Sequence, residues 1–138
     1  MASVLLVDAN AGWLGSLALL IASEGHLVRT AHNGVDALRV IRESSPDVVV
    51  TDCNLPVMDG ADLVRALRAD PSLASIPVIL TADTRRRPRL PHVRFLKKPF
   101  PATVLLRELE RLSRRGRRRE ARSLITARLA HIRRGAYG

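Results

Sequence analysis

The sequence contains a single cysteine and no apolar run long enough to cross a bilayer. Cys53 is the only cysteine among 138 residues, which excludes an internal disulfide framework. The longest apolar stretch, residues 17–22, is far short of the roughly 20 residues that a membrane-spanning helix needs. No basic residue precedes this stretch and Asp8 lies upstream of it, so it does not have the pattern of a signal peptide. We therefore expect a cytoplasmic protein with no membrane partner.

Aromatic residues are also scarce, and histidines are scattered. Aromatic side chains make up 3% of the chain and hydrophobic residues 46%, so the core must be built from Val, Leu, Ile and Ala. No group of Cys and His residues has the spacing of a zinc site. With 138 residues, the chain has the size of one compact domain and little more.

Charge is distributed unevenly along the chain. Residues 1–83 contain five Lys/Arg and ten Asp/Glu, a net charge of −5, whereas residues 84–138 contain eighteen Lys/Arg and three Glu, a net charge of +15. The front half therefore offers carboxylates for a site. The arginines of the back half suit a solvated surface, nucleic acid, an acidic protein or a second copy of the chain, and the sequence leaves these alternatives open.

Short apolar runs alternate with segments of helical spacing along the first 114 residues. The runs predict strands at 3–7, 26–31, 47–51 and 76–81 and a last strand beginning at Phe95. The segments between and after them predict helices at 11–23, 35–43, 61–69 and 103–114. This alternation is typical of an α/β fold, in which helices cover both faces of a parallel sheet.

Four polar residues fall at or just past the ends of predicted strands, namely Asp8, Asp52, Thr81 and Lys98. In a parallel sheet these ends lie at one edge, so the four side chains should gather there. Two adjacent carboxylates favour a bound cation such as Mg²⁺, and a carboxylate is also a nucleophile toward phosphorus. A lysine and a hydroxyl can stabilise the transferred phosphoryl group. The set therefore predicts a phosphoryl-accepting site.

Several strings of the sequence match one known pattern in order and spacing. They are VLLVDAN (4–10), AHNGVDAL (31–38), PDVVVTDCNLPVMDG (46–60), PVILTAD (77–83) and FLKKPF (95–100). Residues 2–114 thereby resemble the receiver domain of bacterial two-component response regulators. The resemblance implies a doubly wound, five-stranded parallel sheet with the flavodoxin-like strand order 2-1-3-4-5.

The resemblance also implies a role for six residues. Asp52 matches the phosphorylated aspartate, and Asp8, Asp52 and Asn54 match the ligands of Mg²⁺. Thr81 and Lys98 match the residues that stabilise the phosphoryl group. Phe95 matches the switching aromatic ring. The implied phosphoryl donor is a histidine kinase or a phosphotransfer protein.

The sequence departs from the family pattern in two places. The family has two adjacent acids after the first strand, and the second of them, a direct metal ligand, is replaced here by Ala9. We therefore expect Mg²⁺ to bind more weakly. The span from Thr81 to Lys98 is also short and contains Pro88 and Pro91, which predicts a reduced fourth helix. Its arginines form a candidate partner surface: Arg85, Arg86, Arg87 and Arg89.

A basic extension follows the receiver-like region. We expect Gly116 to end the preceding helix, which divides the chain into a receiver domain (1–115) and a helical extension (116–138). The extra helix carries an apolar stripe formed by Leu124, Ile125, Leu129 and Ile132. Three surfaces could cover this stripe, namely its own receiver, a second copy of the chain in a homodimer, or another protein.

The leading hypothesis is a stand-alone receiver that accepts a phosphoryl group on Asp52 and signals through protein–protein contacts. A phosphorylation-independent pseudo-receiver that acts as an adaptor or scaffold is the alternative. Association with nucleic acid through the Arg-rich half is a third hypothesis, although no recognition motif accompanies the arginines. An enzyme is not expected, because no general base faces a substrate-sized pocket that the sequence predicts.

Overall fold

The computed structural model describes residues 1–83 and 88–136. For residues 115–120, 123, 135 and 136 it describes the backbone only. Its strands are β1 (Ser3–Val7), β2 (Leu27–Ala31), β3 (Val48–Asp52), β4 (Val78–Ala82) and β5 (Val93–Lys97). Its helices are α1 (Ala11–Ser23), α2 (Gly34–Glu43), α3 (Gly60–Ala69) and α4 (Ala102–Ala136). Apart from the end of α4, most of these bounds lie within two residues of those predicted from the sequence.

Polar side chains at the N-termini of three helices explain why those helices begin where they do. The side chains of Asn10, Asn33 and Asp59 each accept a hydrogen bond from a backbone N–H three residues further on, in α1, α2 and α3 respectively. Such caps satisfy N–H groups that have no partner within the helix, and each stabilises a helix by about 1 kcal/mol. These three starts are therefore encoded locally.

The five strands form one parallel sheet in the order β2-β1-β3-β4-β5, which confirms the predicted fold class. One face packs against α2 and α3, with Ile41, Leu63 and Leu67 fully buried. The other face packs against α1 and the first part of α4, with Ile21, Leu105 and Leu109 fully buried. The chain turns from β1 outward to β2 and then back past β1 to β3, so the strand order reverses at β1 and β3. Ligands of open α/β sheets bind at such a reversal.

The connection between β4 and β5 contains no helix among its described residues, which agrees with the predicted reduction of the fourth helix, and residues 84–87 of this connection lie outside the described part of the chain. In its place, Arg68 of α3 ties the connection to the domain. Its guanidinium donates to the carbonyl oxygens of Ile76 at 2.7 Å and Ala74 at 3.0 Å, which lie just before β4. It also donates to those of His92 at 3.0 Å and Pro91 at 3.4 Å, which lie just before β5.

Replacing Arg68 with Met should therefore destabilise the domain by about 2 kcal/mol, because the substitution leaves partly buried carbonyl oxygens without a donor. Urea unfolding followed by far-UV circular dichroism measures this change. Arg65 on the same helix is the matched control, since its side chain is 61% exposed and pairs only with Asp62 among the ion pairs described. Arg65→Met should cost less than about 0.5 kcal/mol. Equal losses for the two variants would contradict a stabilising role for Arg68.

Helix α4 continues through Gly116 as one helix of 35 residues, so the expected break at Gly116 is wrong. A glycine within a helix costs only about 1 kcal/mol relative to alanine, and the flanking Arg, Glu, Leu and Ala residues favour helix. The helix is packed against the sheet from its start as far as Leu112 and Ser113, which are both buried. All described side chains from Arg114 to Arg134 are exposed. The division into 1–115 and 116–138 therefore stays a prediction about function, and the backbone crosses it without interruption.

None of the helices in residues 1–83 and 88–136 has the length and apolar character required to span a membrane.

Candidate functional site

Three charged side chains that lie far apart in the sequence meet at the carboxyl edge of the sheet. Asp8 follows β1, Asp52 ends β3 and Lys98 follows β5. The Nζ atom of Lys98 lies 2.7 Å from Oδ2 of Asp8 and 3.5 Å from Oδ2 of Asp52. The convergence that the strand pattern predicted for these residues is therefore present, and one ammonium group sits between two carboxylates.

Asp8 is the more buried of the two acids at this site. Its side chain is only 7% exposed, and its Oδ1 atom accepts a hydrogen bond of 2.9 Å from the backbone N–H of Asn10. Its Oδ2 atom accepts from Lys98. A buried carboxylate is stable only with such partners. Asp8 consequently fixes the position of the Lys98 ammonium group next to Asp52.

Asp52 is the more accessible of the two acids, with a side chain 13% exposed. Burial raises the pKa of its carboxyl group, and the neighbouring charge of Asp8 raises it further. The charge of Lys98 and the backbone N–H of Asn54 act in the opposite direction and only partly offset the increase. The Asp52 carboxylate is therefore incompletely stabilised, which suits a group that reacts as a nucleophile.

Lys98 remains an ammonium ion in this environment. Burial by itself lowers the pKa of Lys98, but the hydrogen bond to Asp8 and the charges of Asp52 and Asp8 together outweigh burial and leave the pKa raised. The site thus combines two negative charges with one fixed positive charge. An anionic group attached to Asp52 would therefore lie close to the ammonium group of Lys98, which would stabilise its charge.

Thr81 and Phe95 are located on the two neighbouring strands. Thr81 is buried in β4 and pairs with Asp52 in the β3–β4 register, so it lies on the strand next to the proposed phosphoacceptor. Its hydroxyl oxygen is 3.5 Å from the carbonyl oxygen of Thr51, a long hydrogen bond that another acceptor could displace. Phe95 is half-buried in β5 and pairs with Leu80 of β4 in the strand register.

The predicted partner surface is only partly visible. Arg89 is exposed in the β4–β5 connection. Arg85, Arg86 and Arg87 lie outside the described residues. The stripe residues of the extension are all exposed, with Leu124 71%, Ile125 60%, Leu129 52% and Ile132 60% accessible.

The loop after β3 requires a glycine at position 60. A Cβ atom at Gly60 would lie 2.2 Å from the carbonyl oxygen of Asp52, a distance that no side chain tolerates. The N–H of Gly60 donates to the carbonyl oxygen of Cys53, and the side chain of Asp59 caps α3 directly before it. The Asp59–Gly60 pair therefore brings the start of α3 against the backbone that carries Asp52.

An aromatic pair beside Lys98 was not assigned to the site from the sequence. The rings of Trp13 and Phe100 meet edge to face with their centroids 5.9 Å apart, and Nζ of Lys98 lies 5.7 Å from the centroid of Trp13. Trp13 is on the first turn of α1, whereas Phe100 follows β5. No local pattern links positions 13 and 100, so their contact follows only from the tertiary structure.

Cys53 is adjacent to the site but unreactive. Burial and the charges of Asp52 and Asp59 raise the pKa of its thiol to about 11, and Lys98 offsets this only in part. The thiolate form, which is the reactive one, is therefore scarce at neutral pH.

The donor set is compatible with Mg²⁺ held by few protein ligands. The carboxylates of Asp8 and Asp52 and the carbonyl group of Asn54 are the oxygens that the family pattern assigns to the ion. Mg²⁺ commonly takes one or two protein carboxylates and completes its shell with water and phosphate. Ala9 is exposed at the position of the missing acid and offers no side-chain oxygen. Among the residues that the structure describes, no cluster of three or more His, Cys, Asp or Glu side chains adds a further metal site.

Comparison with known proteins identifies the family. The family model of the response regulator receiver domain matches residues 4–110, and the chain therefore belongs to this family. Accepting a phosphoryl group is the general function of receiver domains in two-component signalling. They are signalling modules rather than classical enzymes, and they generally bind Mg²⁺ at the phosphorylation site.

Individual relatives agree with this assignment. Transcriptional regulatory protein PrrA of Mycobacterium tuberculosis is 36% identical over 118 residues, which cover 81% of this chain and 50% of PrrA. Chemotaxis protein CheY of Pseudomonas aeruginosa is 36% identical over 91 residues, which cover 62% of this chain and 73% of CheY. The crystal structure of CheY4 of Vibrio cholerae superposes with a TM-score of 0.72 at 28% identity, covering 81% of this chain and 98% of CheY4. The chain thus spans about half the length of the regulators of the PrrA type.

Proposed function

We propose that the chain is a cytoplasmic receiver that accepts a phosphoryl group on Asp52 from a histidine kinase or a phosphotransfer protein. The observation that carries this proposal is the position of the Asp52 carboxylate, 3.5 Å from the ammonium group of Lys98 and beside the buried Asp8. A carboxylate in this position has both the nucleophilic oxygen and the adjacent positive charge that phosphoryl transfer requires.

In the proposed reaction, a carboxylate oxygen of Asp52 forms a bond to phosphorus as the bond between phosphorus and the donor's imidazole nitrogen breaks. The electron pair of the broken bond stays on that nitrogen. Lys98 neutralises the incoming negative charge, and the hydroxyl group of Thr81 donates to a phosphoryl oxygen. Asp8, Asp52 and the carbonyl group of Asn54 would hold Mg²⁺, which reduces the repulsion between the carboxylate and the phosphoryl group.

The output of this proposal is a change in protein–protein contacts. When the hydroxyl group of Thr81 turns toward the phosphoryl group, it leaves space next to β5. The half-buried ring of Phe95 on that strand would move into this space. The two arrangements of these side chains would be populated differently before and after phosphorylation. Because the described part of the β4–β5 connection has no helix, a partner would meet Phe95 and Arg89 directly.

Phosphorylation by a small phosphodonor tests the proposal. The purified chain, incubated with acetyl phosphate with and without Mg²⁺, should gain the mass of one phosphoryl group, and more slowly without Mg²⁺. Asp52→Asn should abolish the gain. Asp59→Asn is the matched control, because Asn caps a helix as well as Asp does and the same charge is removed. No gain under either condition would overturn the phosphorelay and leave the adaptor hypothesis.

The adaptor hypothesis rests on two specific observations, namely the missing acid at Ala9 and the exposed second half of α4. It predicts that Asp52→Asn has no effect in the cell, whereas removal of residues 117–138 abolishes function. The phosphorelay predicts a loss of signalling for Asp52→Asn. A comparison of the two variants for one cellular output therefore separates the hypotheses.

A further inference from the structure

Helix α4 carries the same apolar spacing twice. Leu105, Leu109 and Leu112 are buried against the sheet. Ile125, Leu129 and Ile132 repeat this spacing 20 residues later, and they are 60%, 52% and 60% exposed. We call these three residues the distal stripe and residues 121–136 the distal segment. One continuous helix thus has an apolar face that its own domain covers and a second apolar face that it leaves open.

The two apolar faces point in nearly opposite directions. An α-helix rotates by about 100° per residue, so 20 residues correspond to five full turns and about 200° more. The distal stripe is also displaced by about 30 Å along the helix axis from the buried one. A continuous helix with this rotation and displacement cannot turn the distal stripe onto its own receiver. Of the three surfaces considered from the sequence, the receiver of the same chain is thereby excluded.

The charges around the distal stripe are all of one sign. Residues 121–136 contain four arginines and no Asp or Glu. By the same rotation, Arg122 and Arg133 border the stripe on one side, and Arg128 borders it on the other, next to the exposed Leu124. The complementary surface must therefore be apolar in its middle and anionic on both sides.

A second copy of the chain and nucleic acid do not meet this requirement, whereas an acidic protein groove with an apolar floor would meet it and is therefore an outcome of the test below. Pairing of two distal segments would bring arginines of like charge together along a contact that only a few apolar side chains on each helix support. Nucleic acid would neutralise the arginines, but their position on both borders would press Ile125, Leu129 and Ile132 against phosphate groups. A surface of anionic lipids supplies hydrocarbon in the middle and phosphate on both sides.

We propose that the distal segment lies in the headgroup region of an anionic lipid surface, with the distal stripe inserted at the acyl boundary and the arginines at lipid phosphates. Leu and Ile side chains insert there while Arg side chains extend back to the phosphates. The absence of a spanning segment in the sequence predicted no membrane partner, but a helix that lies in the plane of the headgroups needs no spanning segment. This inference is independent of phosphorylation at Asp52.

Co-sedimentation of the full chain with vesicles tests the proposal. Vesicles of phosphatidylcholine with phosphatidylglycerol should bind the chain at least about tenfold more tightly than phosphatidylcholine alone, and the difference should shrink as salt is added. Leu129→Glu should weaken binding about tenfold more than Ala127→Glu does. Ala127 is exposed on the opposite side of the helix, so this control changes the charge equally without touching the distal stripe.

Four outcomes would overturn the proposal. A monomeric chain that binds neither anionic vesicles nor DNA would leave an acidic protein as the partner of the stripe. Equal effects of Leu129→Glu and Ala127→Glu would show that the stripe does not insert. A dimer in analytical ultracentrifugation that Leu129→Glu dissociates, without vesicle binding, would assign the stripe to a homodimer. Binding to a DNA duplex that is insensitive to Leu129→Glu, without vesicle binding, would assign the arginines to nucleic acid. Because Asp52→Asn should bind vesicles normally, failure here is distinguishable from failure of the phosphorelay.

Discussion

Replacement of Lys98 with Met should lower the free energy of unfolding by about 3 kcal/mol, the largest loss that we expect from one substitution at the site. The ammonium group of Lys98 is 2.7 Å from the buried carboxylate of Asp8 and also faces Asp52. Its removal leaves two closely spaced negative charges without a counter-charge, and breaking a buried pair costs about 3–5 kcal/mol. We expect a loss at the lower end of this range, because 23% of the Lys98 side chain is exposed and solvent weakens its interaction with the two carboxylates. Urea denaturation at neutral pH measures the effect.

Two further variants isolate the cause of this loss. Lys97 is the exposed neighbour of Lys98, so Lys97→Met removes the same charge from solvent and should change stability by less than about 0.5 kcal/mol. Combining Lys98→Met with Asp8→Asn removes both members of the buried pair and should restore part of the stability. If the double variant is less stable than Lys98→Met alone, the Lys98 ammonium does not act by compensating Asp8.

Replacement of Ala9 with Asp should strengthen Mg²⁺ binding by about tenfold to 100-fold and accelerate phosphorylation of Asp52 by acetyl phosphate. Asp8 and Asp52 contribute two negative charges and Lys98 one positive charge, so a third carboxylate doubles the net negative charge that attracts the ion. Changes to groups that support a metal ion commonly alter affinity by about 10–100-fold. Because Trp13 lies against Lys98, its fluorescence as a function of Mg²⁺ concentration provides the measurement.

Asn10→Asp is the control for the added charge. The side chain of Asn10 caps α1 by accepting from the N–H of Trp13, and Asp is an equally good cap, so this variant adds one carboxylate next to the site but keeps it engaged with the helix. Its affinity for Mg²⁺ should rise much less than that of Ala9→Asp. If both variants bind Mg²⁺ equally well, the added negative charge near the site raises the affinity by itself, and the side chain at position 9 is not a ligand of the ion.

The convergence of Asp8, Asp52 and Lys98 could be predicted from the sequence because it follows from a rule that needs no side-chain packing. Each residue stands at the end of an apolar run, and the ends of parallel strands share one edge of the sheet. The shortened β4–β5 connection was predictable for a similar reason, because Pro88 and Pro91 are incompatible with a short helix there.

Other features had no sequence signal strong enough to predict them. Gly116 suggested the end of a helix, but its cost of about 1 kcal/mol is small beside the helix preference of its neighbours. Arg68 resembled any surface arginine of an amphipathic helix, and its four carbonyl acceptors come from the two segments that lead into β4 and β5. The contact between Trp13 and Phe100 joins residues that no local pattern relates.

The amino-acid sequence by itself determined the order of the strands and helices, the family, and the set of polar residues at the edge of the sheet, because periodicity, caps and strand ends are local properties of the chain. Only the tertiary structure decided that Lys98 neutralises Asp8 and Asp52 together, that Arg68 takes over the anchoring of the β4–β5 connection, and that α4 has its two apolar faces on opposite sides. The first two features depend on distances between segments, which are set only once the chain has packed, and the third depends on the continuation of α4 through Gly116.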